Sequence, residues 1–300
     1  MIYTVTLNPS LDYTADADNF SIGKTNRVQN EYFVVGGKGL NVSIILKRLG
    51  MDSTALGFSA GFTGDELEKE LDKLGCRHDF IHIENGFTRI NVKLVKGEVT
   101  EFNGAGPEIT EEHIEALKGK ISSLCPEDTL VLSGSIPKGL DEDIYKDIIS
   151  AAPKEVTIVL DTSGKALTSS LSLRPFLIKP NIDELSDLFK KPLSSREDVV
   201  VYARKLQEMG ARNVLVSLGS DGALLLTERG ELYHCDPPKG NMINTVGAGD
   251  SMVAGFIWEF SNSGDHQEAL KFAVCCGSAT AYSKWLTEKS LIGELFETMQ

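Results

Sequence analysis

The sequence is poor in positive charge and has no long apolar segment. Its 30 lysines and arginines stand against 43 aspartates and glutamates, which gives a formal net charge of −13 at pH 7. Such a negative field opposes binding to nucleic acid or to an anionic membrane surface. No apolar run reaches the roughly 18 residues of a membrane-spanning helix. The first ten residues also lack the basic and apolar regions of a signal peptide.

Disulfide and zinc frameworks are also missing. The 5 cysteines form no C-x-x-C pair, and their odd number and scattered spacing suit a reducing compartment. Together with the missing leader and membrane segments, this predicts a cytoplasmic protein that binds neither nucleic acid nor membrane.

The second half of the chain alternates helix-like and strand-like segments. With 41% apolar residues in a chain of 300, one large α/β domain has enough core-forming residues. The alternation predicts a mostly parallel sheet with helices on both faces, in three α/β/α layers. The predicted strands are 2–7, 129–132, 156–160, 176–178 and 214–217, with a hairpin at 223–226 and 231–234.

Two segments do not fit this alternation. Residues 12–35 are irregular with β-leaning pieces, and residues 88–103 alternate as a hairpin does. Together they predict a small antiparallel sheet that stands away from the main domain as a lid. The alternative is that both segments edge the main sheet.

Polar and glycine-rich residues follow one predicted strand after another. The carboxyl ends of parallel strands share one edge of a sheet, where α/β proteins bind ligands. We therefore expect a site there. The residues concerned are 8–12, 133–139, Asp161, 179–184 and 217–222.

The stretch from Asn244 to Ser251 carries the clearest chemical signal. Gly247, Ala248 and Gly249 precede Asp250 and an apolar helix-like run, so bare backbone N–H groups would face an anion at a helix N-terminus. A carboxylate beside an anion would repel it, so we interpret Asp250 as the base that takes a proton from an attacking hydroxyl. The alternative is an ordinary solvated loop with an aspartate near a helix cap.

Such a set of loops suits phosphoryl transfer, in which positioning and charge neutralisation carry most of the catalysis. The sequence has no G-x-x-x-x-G-K-[ST] run and no protein-kinase motifs. The glycine cluster Gly36-Gly37-Lys38-Gly39 at the start of a predicted helix lacks dinucleotide spacing, and its lysine suggests a phosphate or a sugar.

Two motifs together resemble the signatures of the ribokinase-like (PfkB) sugar kinase family. They are Gly36 to Asn41 and Val246 to Ser251, and the intervening stretches 179–184 and 217–222 match in order. The resemblance covers nearly the whole chain and implies a ribokinase-like fold with a β-sheet lid. The opening residues 6–12 and the stretches 61–64 and 88–93 are similar to the branch that acts on phosphorylated ketohexoses.

The resemblance implies an ATP-dependent kinase with Mg²⁺, and in some relatives a monovalent cation such as K⁺. Fructose 1-phosphate is the first candidate substrate, and tagatose 6-phosphate and fructose 6-phosphate are alternatives. A kinase for an unphosphorylated sugar or a nucleoside and a non-catalytic sugar-phosphate sensor remain further alternatives.

The resemblance also implies a role for each matching residue. Asp250 is the base, and Gly247, Ala248 and Gly249 form the anion hole. Sugar and substrate phosphate are assigned to Asp12, Gly37, Lys38, Asn41 and Arg89, with Lys138 as a weaker candidate. The nucleotide is assigned to Lys179, Asn181, Ser217, Gly219 and Gly222, and Mg²⁺, through water, to Asn181 and Glu184. In some members the lid pairs with a second copy, so Arg27 is expected to reach a partner's site in a homodimer.

Overall fold

The computed structural model describes residues 1–17, 20–96, 98–193 and 195–299. Its strands are β1 (Ile2–Thr6), β2 (Ser10–Asp16), β3 (Gln29–Gly36), β4 (Ser53–Ala60), β5 (Arg77–His78), β6 (Ile81–Ile83), β7 (Arg89–Lys96), β8 (Glu98–Asn103), β9 (Thr129–Ser133), β10 (Thr157–Asp161), β11 (Leu177–Ile178), β12 (Asn213–Ser217), β13 (Ala223–Leu226) and β14 (Leu232–Cys235). Its helices are α1 (Lys38–Leu49), α2 (Gly61–Lys73), α3 (Glu111–Ser122), α4 (Ile144–Ala151), α5 (Gly164–Ser170), α6 (Ile182–Phe189), α7 (Arg196–Glu208), α8 (Ala248–Ser263), α9 (His266–Ala281) and α10 (Lys289–Glu297).

The main sheet is parallel except at one edge. Its strands run in the order β14-β13-β12-β11-β10-β9-β1-β4-β5, with β6 also paired to β4. The pairs from β12 through β11, β10, β9 and β1 to β4 are parallel, while β13 and β14 form the antiparallel hairpin at the edge. The predicted mostly parallel α/β sheet and its edge hairpin are therefore confirmed.

Apolar helix faces cover the main sheet on both sides. One buried cluster joins α1, α8 and α9 to the sheet and contains Leu40, Val253 and Phe272. The other joins α3, α4 and α7 to the opposite face and contains Leu117 and Ile148. Adjacent strand residues point to opposite faces, so strands that lie between two helix layers are apolar on both. The main sheet with a helix layer on each face gives the predicted three α/β/α layers.

A second, smaller sheet of order β3-β2-β7-β8 stands apart from the main one. The prediction that segments 12–35 and 88–103 pair with each other is confirmed, but an entirely antiparallel sheet is wrong because β2 and β7 are parallel. Both strands start beside the main sheet, where Ser10 pairs with Arg89, and both run outward from there. Two strands that leave the same edge in the same direction can only pair in parallel.

The small sheet has two chemically different faces. Asp12, Asn91 and Lys93 line a cavity between this sheet and the main domain. On the other face, Phe33 and Phe102 are about half exposed, at 55% and 52%. Strand alternation separates the two sets, since successive side chains point to opposite sides.

Among the described residues, no helix is both long and apolar enough to cross a membrane.

Candidate active site

The cavity lies at the carboxyl ends of the parallel strands. A residue that directly follows each of β1, β9, β10, β11 and β12 lines it, as the sequence predicts for this edge. They include Leu7, Gly134, Thr162, Lys179 and Leu218. The small sheet forms the opposite wall.

Two helices point their N-termini into this cavity. Helix α1 begins after Gly37 and helix α8 after Gly247, and neither cap residue provides a side-chain hydrogen bond. Both glycines have positive φ, 130° and 82°, which residues with a Cβ rarely adopt. A Cβ on Gly37 would lie 2.9 Å from Thr6, and one on Gly247 would lie 2.6 Å from Leu286. The uncapped N–H groups and the positive helix ends suit an anion.

Asp250 lies in the first turn of α8 and is only 5% exposed. The amide nitrogen of Asn41 on α1 donates a 2.7 Å hydrogen bond to Oδ2 of Asp250. Burial and then the charge of Asp161 raise the pKa of Asp250 to about 6, against the lowering effect of Lys38, Asn41 and Lys179. A carboxylate with a pKa near neutrality is ionised at pH 7 and still basic enough to accept a proton.

A buried ion cluster lies beside this aspartate. Asp161, at the end of β10, is 1% exposed and lies 3.3 Å from Nζ of Lys179 and 3.6 Å from Nζ of Lys38. Burial raises the pKa of Asp161, but the two ammonium groups outweigh burial and hold the pKa below its usual value. Neither carboxylate oxygen of Asp161 makes a hydrogen bond within the described part of the chain. The cluster also includes Glu184, whose Oε1 lies 4.0 Å from Nζ of Lys38.

Lys179 also reaches the start of α8. A Cβ built on Gly249 would lie 2.9 Å from the Nζ of Lys179. The ammonium group therefore lies against the glycine backbone of the predicted anion hole, and only glycine leaves it that space. Backbone N–H groups and a lysine in one place are what an oxyanion or phosphoryl group requires.

A hydrogen-bonded network covers the cavity face of the small sheet. Oδ1 of Asp12 accepts hydrogen bonds from Ser10 Oγ, at 2.7 Å, and from Asn91 Nδ2, at 2.9 Å. Oδ2 of Asp12 lies 2.8 Å from Nζ of Lys93. Near the base of the sheet, the Nε of Arg89 donates to the backbone oxygen of Asn8 at 3.0 Å. This bond orients the guanidinium of Arg89, and within the described part of the chain its other N–H groups remain available for an anion.

The predicted nucleotide residues lie at the other end of the cavity, which Asn181, Ser217, Gly219 and Gly222 line. Gly222 has a φ of 78°, and a Cβ there would lie 1.9 Å from the backbone oxygen of Cys235. Asn181 and Glu184 cap α6 reciprocally, since Asn181 Oδ1 accepts from Glu184 N at 2.7 Å and Glu184 Oε2 accepts from Asn181 N at 2.9 Å. This capping box leaves Oε1 of Glu184 facing Lys38.

The structure separates the predicted phosphate-binding cations. Arg89 lies on the small-sheet side, but Lys38 belongs to the ion cluster next to Asp250 and Glu184. Lys138 and Arg27 are exposed and are not among the described residues that line the cavity. A position after a strand therefore did not suffice to bring Lys138 to the cavity, whereas the prediction for Arg27 concerns the site of a second copy.

Sequence reasoning missed the role of Asp161 and all of the network around Asp12. Asp161 ends a mostly apolar strand and was expected at that edge, but its two lysine partners come from distant segments. Ser10, Asn91 and Lys93 alternate along β2 and β7, so an alternation of polar residues facing the cavity could have identified them.

The chain matches the model of the pfkB family carbohydrate kinases over residues 5–290. A 1-phosphofructokinase of Borreliella burgdorferi is 44% identical over 96% of this chain and 94% of that protein. A 1-phosphofructokinase of Bacillus subtilis is 44% identical over 98% of this chain and 97% of that protein. A D-tagatose-1-phosphate kinase of Bacillus licheniformis is 37% identical over 100% of this chain and 99% of that protein.

Solved structures agree in fold. The phosphofructokinase-2 of Escherichia coli in complex with substrates and products superposes with a TM-score of 0.93, at 30% identity and 99% coverage of both chains. The same protein in complex with potassium gives 0.92 at 29% identity, covering 99% of this chain and 98% of that one. Its tetrameric inhibited form also gives 0.92, at 30% identity with the same coverage.

Proposed function

The chain belongs to the pfkB family of carbohydrate kinases, and we propose that it transfers the γ-phosphoryl group of ATP to fructose 1-phosphate, yielding fructose 1,6-bisphosphate. One observation carries this proposal. Asp250, with a pKa of about 6, lies in the first turn of a helix whose uncapped N-terminus faces the same cavity as Arg89. Base, anion hole and phosphate anchor are then parts of one site. The names of the relatives from B. burgdorferi and B. subtilis support the choice of sugar phosphate.

Asp250 accepts the proton of the attacking C6 hydroxyl. Asn41 already donates to Oδ2, at 2.7 Å, so Oδ1 remains for that hydroxyl. As the proton leaves, the hydroxyl oxygen attacks the γ-phosphorus and the bond to the leaving ADP oxygen breaks. The N–H groups of Gly247 to Gly249 and the ammonium of Lys179 hold the transferring group.

Arg89 binds the phosphate that the substrate already carries. Its side chain is oriented by Asn8, and a planar guanidinium can bind two phosphate oxygens at once. A neutral sugar would leave this guanidinium unpaired, which argues against an unphosphorylated substrate. Gly37 and Asp12 complete the sugar site, while Lys38, beside Asp161, lies on the side of the transferred phosphoryl group.

The donor set beside Asp161 fits Mg²⁺. Carboxylate oxygens are ligands that Mg²⁺ prefers, and it commonly keeps several waters. Glu184 and its capping partner Asn181 line the cavity and would hold the hydrated ion through water, with the charge of Asp161 beside them in the ion cluster. When bound, the ion neutralises charge on the β- and γ-phosphates of ATP. ATP itself lies along Asn181, Ser217, Gly219 and Gly222.

Four finer points belong to the same proposal. The small sheet closes on the sugar as a lid and excludes water from the reaction. Its exposed apolar face, with Phe33 and Phe102, pairs with a second copy in a homodimer, and Arg27 lies on the exposed loop of that sheet. A monovalent cation such as K⁺ assists, as the potassium complex of the E. coli neighbour suggests. The five free thiols suit the reducing cytoplasm.

Tagatose 1-phosphate is the second candidate substrate, because a relative at 37% identity carries that name. Fructose 6-phosphate and tagatose 6-phosphate would use the same mechanism with the sugar reversed. The alternative of a sugar-phosphate sensor would have no use for a base at Asp250.

Steady-state release of ADP, compared as kcat/KM over the panel of sugar phosphates and free fructose, tests the proposal. We expect fructose 1-phosphate to be preferred. A higher kcat/KM for a 6-phosphate would overturn the choice of sugar phosphate. Absence of turnover with every member of the panel would overturn the proposed kinase activity.

A further inference from the structure

The ion pair between Asp12 and Lys93 is nearly enclosed on the cavity face of the small sheet. The side chains are 10% and 14% exposed, and Nζ lies 2.8 Å from Oδ2. In the register of β2 and β7, Asp12 pairs with Asn91 and Thr14 pairs with Lys93. Lys93 therefore starts two register positions farther from the main sheet than Asp12, on the same face, and its side chain bends back toward Asp12.

Stability alone is a weak reason for such a pair. Removing two charges from water costs about as much as their attraction returns, so an apolar pair of similar size would stabilise the sheet equally well. An apolar residue does occur on this cavity face, since Val95 of β7 lines it opposite Asp16. Asp12 is moreover already held by Ser10 and Asn91 through Oδ1. Lys93 additionally fixes the position of the second carboxylate oxygen, Oδ2 of Asp12.

Both members of the pair retain hydrogen-bonding capacity toward the cavity. An ammonium group has three N–H donors and a carboxylate oxygen accepts at two positions. One donor of Lys93 faces Asp12 and a second is directed toward Glu101, whose Oε1 lies 3.9 Å away. One acceptor position of Oδ2 is used by Lys93. A donor and an acceptor thus stand side by side on a wall of the cavity that both residues line.

Adjacent hydroxyls of a sugar ring match this arrangement. One hydroxyl donates its proton to Oδ2 of Asp12, and the oxygen of its neighbour accepts a proton from Nζ of Lys93. We propose that Lys93 is a sugar-binding residue that selects a vicinal diol of the ketose, acting together with Asp12. This assignment rests on the proposed function, and it gives the lid a direct part in recognising the sugar as well as in excluding water.

Replacing Lys93 by methionine tests the proposal, since Lys93→Met keeps the aliphatic length and removes the donors. Loss of a hydrogen bond to a charged group costs about tenfold or more in affinity. We expect the dissociation constant of fructose 1-phosphate, measured by calorimetry without nucleotide, to rise by at least about that factor. KM for fructose 1-phosphate should rise in parallel, while kcat and the KM of MgATP change little, because the contact is equally strong in ground and transition states.

Two further variants separate binding from folding. Lys93→Arg retains a cation and donors, so it should recover most of the affinity. Lys154→Met, at an exposed position in a loop, is the matched control and should bind like the wild type. The wild type's turnover of fructose 1-phosphate tests the proposed function separately.

The proposal is overturned if Lys93→Met binds fructose 1-phosphate within about twofold of the wild type, or if Lys93→Arg is as weak as Lys93→Met. It is also overturned if Lys93→Met lowers the melting temperature and impairs sugar and MgATP equally, since that result indicates a purely structural role.

Discussion

Asn41 and Asp250 are 209 residues apart in the chain and are joined by a 2.7 Å hydrogen bond from Nδ2 to Oδ2. The bond connects the first turns of α1 and α8, whose N-termini both face the cavity. Oδ1 of Asn41 is buried and makes no hydrogen bond with any residue that the structure describes. Asn41 can therefore hold the base with one end of its amide and accept a sugar hydroxyl with the other.

Asn41→Ala should shift the pH dependence of kcat. The base must be ionised to act, so kcat of the wild type should fall as the pH drops through about 6, the pKa of Asp250. The Asn41 hydrogen bond lowers that pKa, so its removal should move the acid limb to higher pH. Asn262→Ala, exposed farther along α8, is the control. An acid limb at the same pH in Asn41→Ala and wild type would contradict the assignment.

Gly249→Ala should slow the reaction without unfolding the protein. The added Cβ would lie 2.9 Å from Nζ of Lys179, so the flexible end of that side chain must move away from the anion hole. We expect kcat to fall about tenfold or more, as for loss of one oxyanion-stabilising group. The melting temperature should hardly change, because alanine favours the helix. Gly293→Ala, inside α10 with nothing within 4 Å of its Cβ, is the control: it should leave kcat unchanged and should not lower the melting temperature. Unaltered kcat in Gly249→Ala would remove Lys179 from the mechanism.

Arg89→Met should weaken binding of the sugar phosphate selectively. A charge-assisted contact to phosphate contributes about 1.5 to 3 kcal/mol, so KM for fructose 1-phosphate should rise about 10- to 100-fold. The residual kcat/KM for unphosphorylated fructose should be nearly unchanged, because that sugar offers no anion. Arg204→Met, at an exposed position on α7, serves as the control. An equal fall in kcat/KM for fructose 1-phosphate and for fructose would show that Arg89 does not bind the phosphate.

Asp161→Asn should destabilise the fold. It leaves Lys179, 5% exposed, and the partly exposed Lys38 without their shared counter-ion. Removing one partner of a buried pair costs about 3 kcal/mol, measurable by urea denaturation at pH 7. The pKa of Asp161 is held below its usual value, so its stabilising effect is complete above the unfolded-state pKa and disappears as the pH falls through the folded-state pKa.

The difference between wild type and Asp161→Asn should therefore narrow in acid. Asp65→Asn, at an exposed position of α2, should cost little at any pH. A difference that stays constant down to acidic pH would mean that Asp161 does not act through its charge.

The layered fold and its ligand-binding edge could be predicted from the sequence because they depend on local patterns. The alternating strands and helices after residue 107 determine the parallel sheet, and the glycines before Asp250 indicate a helix start that binds an anion. Pairing direction in the small sheet could not be predicted this way. β2 and β7 lie more than 70 residues apart, and their parallel pairing follows from where both leave the main sheet.

The ion cluster of Lys38, Asp161 and Lys179 could not be predicted from local sequence patterns either. Lys38, Asp161 and Lys179 come from three segments, and only the closed sheet brings them within 4.0 Å. The position of Lys38 beside Asp161, and not its place in the glycine-rich motif, is the reason to propose that it faces the transferred phosphoryl group. Lys93 lay within a stretch that carried the family resemblance, but its partner Asp12 belongs to another strand.

The most direct test of the proposed reaction is the identity of its product. Purified protein is incubated with ATP, Mg²⁺ and fructose 1-phosphate, and the products are followed by ³¹P NMR, with Asp250→Asn as the inactive control. We predict that the wild type converts the substrate to a sugar bearing phosphomonoesters on C1 and C6, with one ADP formed per sugar, and that the control does not. Fructose 1-phosphate that persists unchanged, or a second phosphate on any carbon other than C6, would contradict the proposed function.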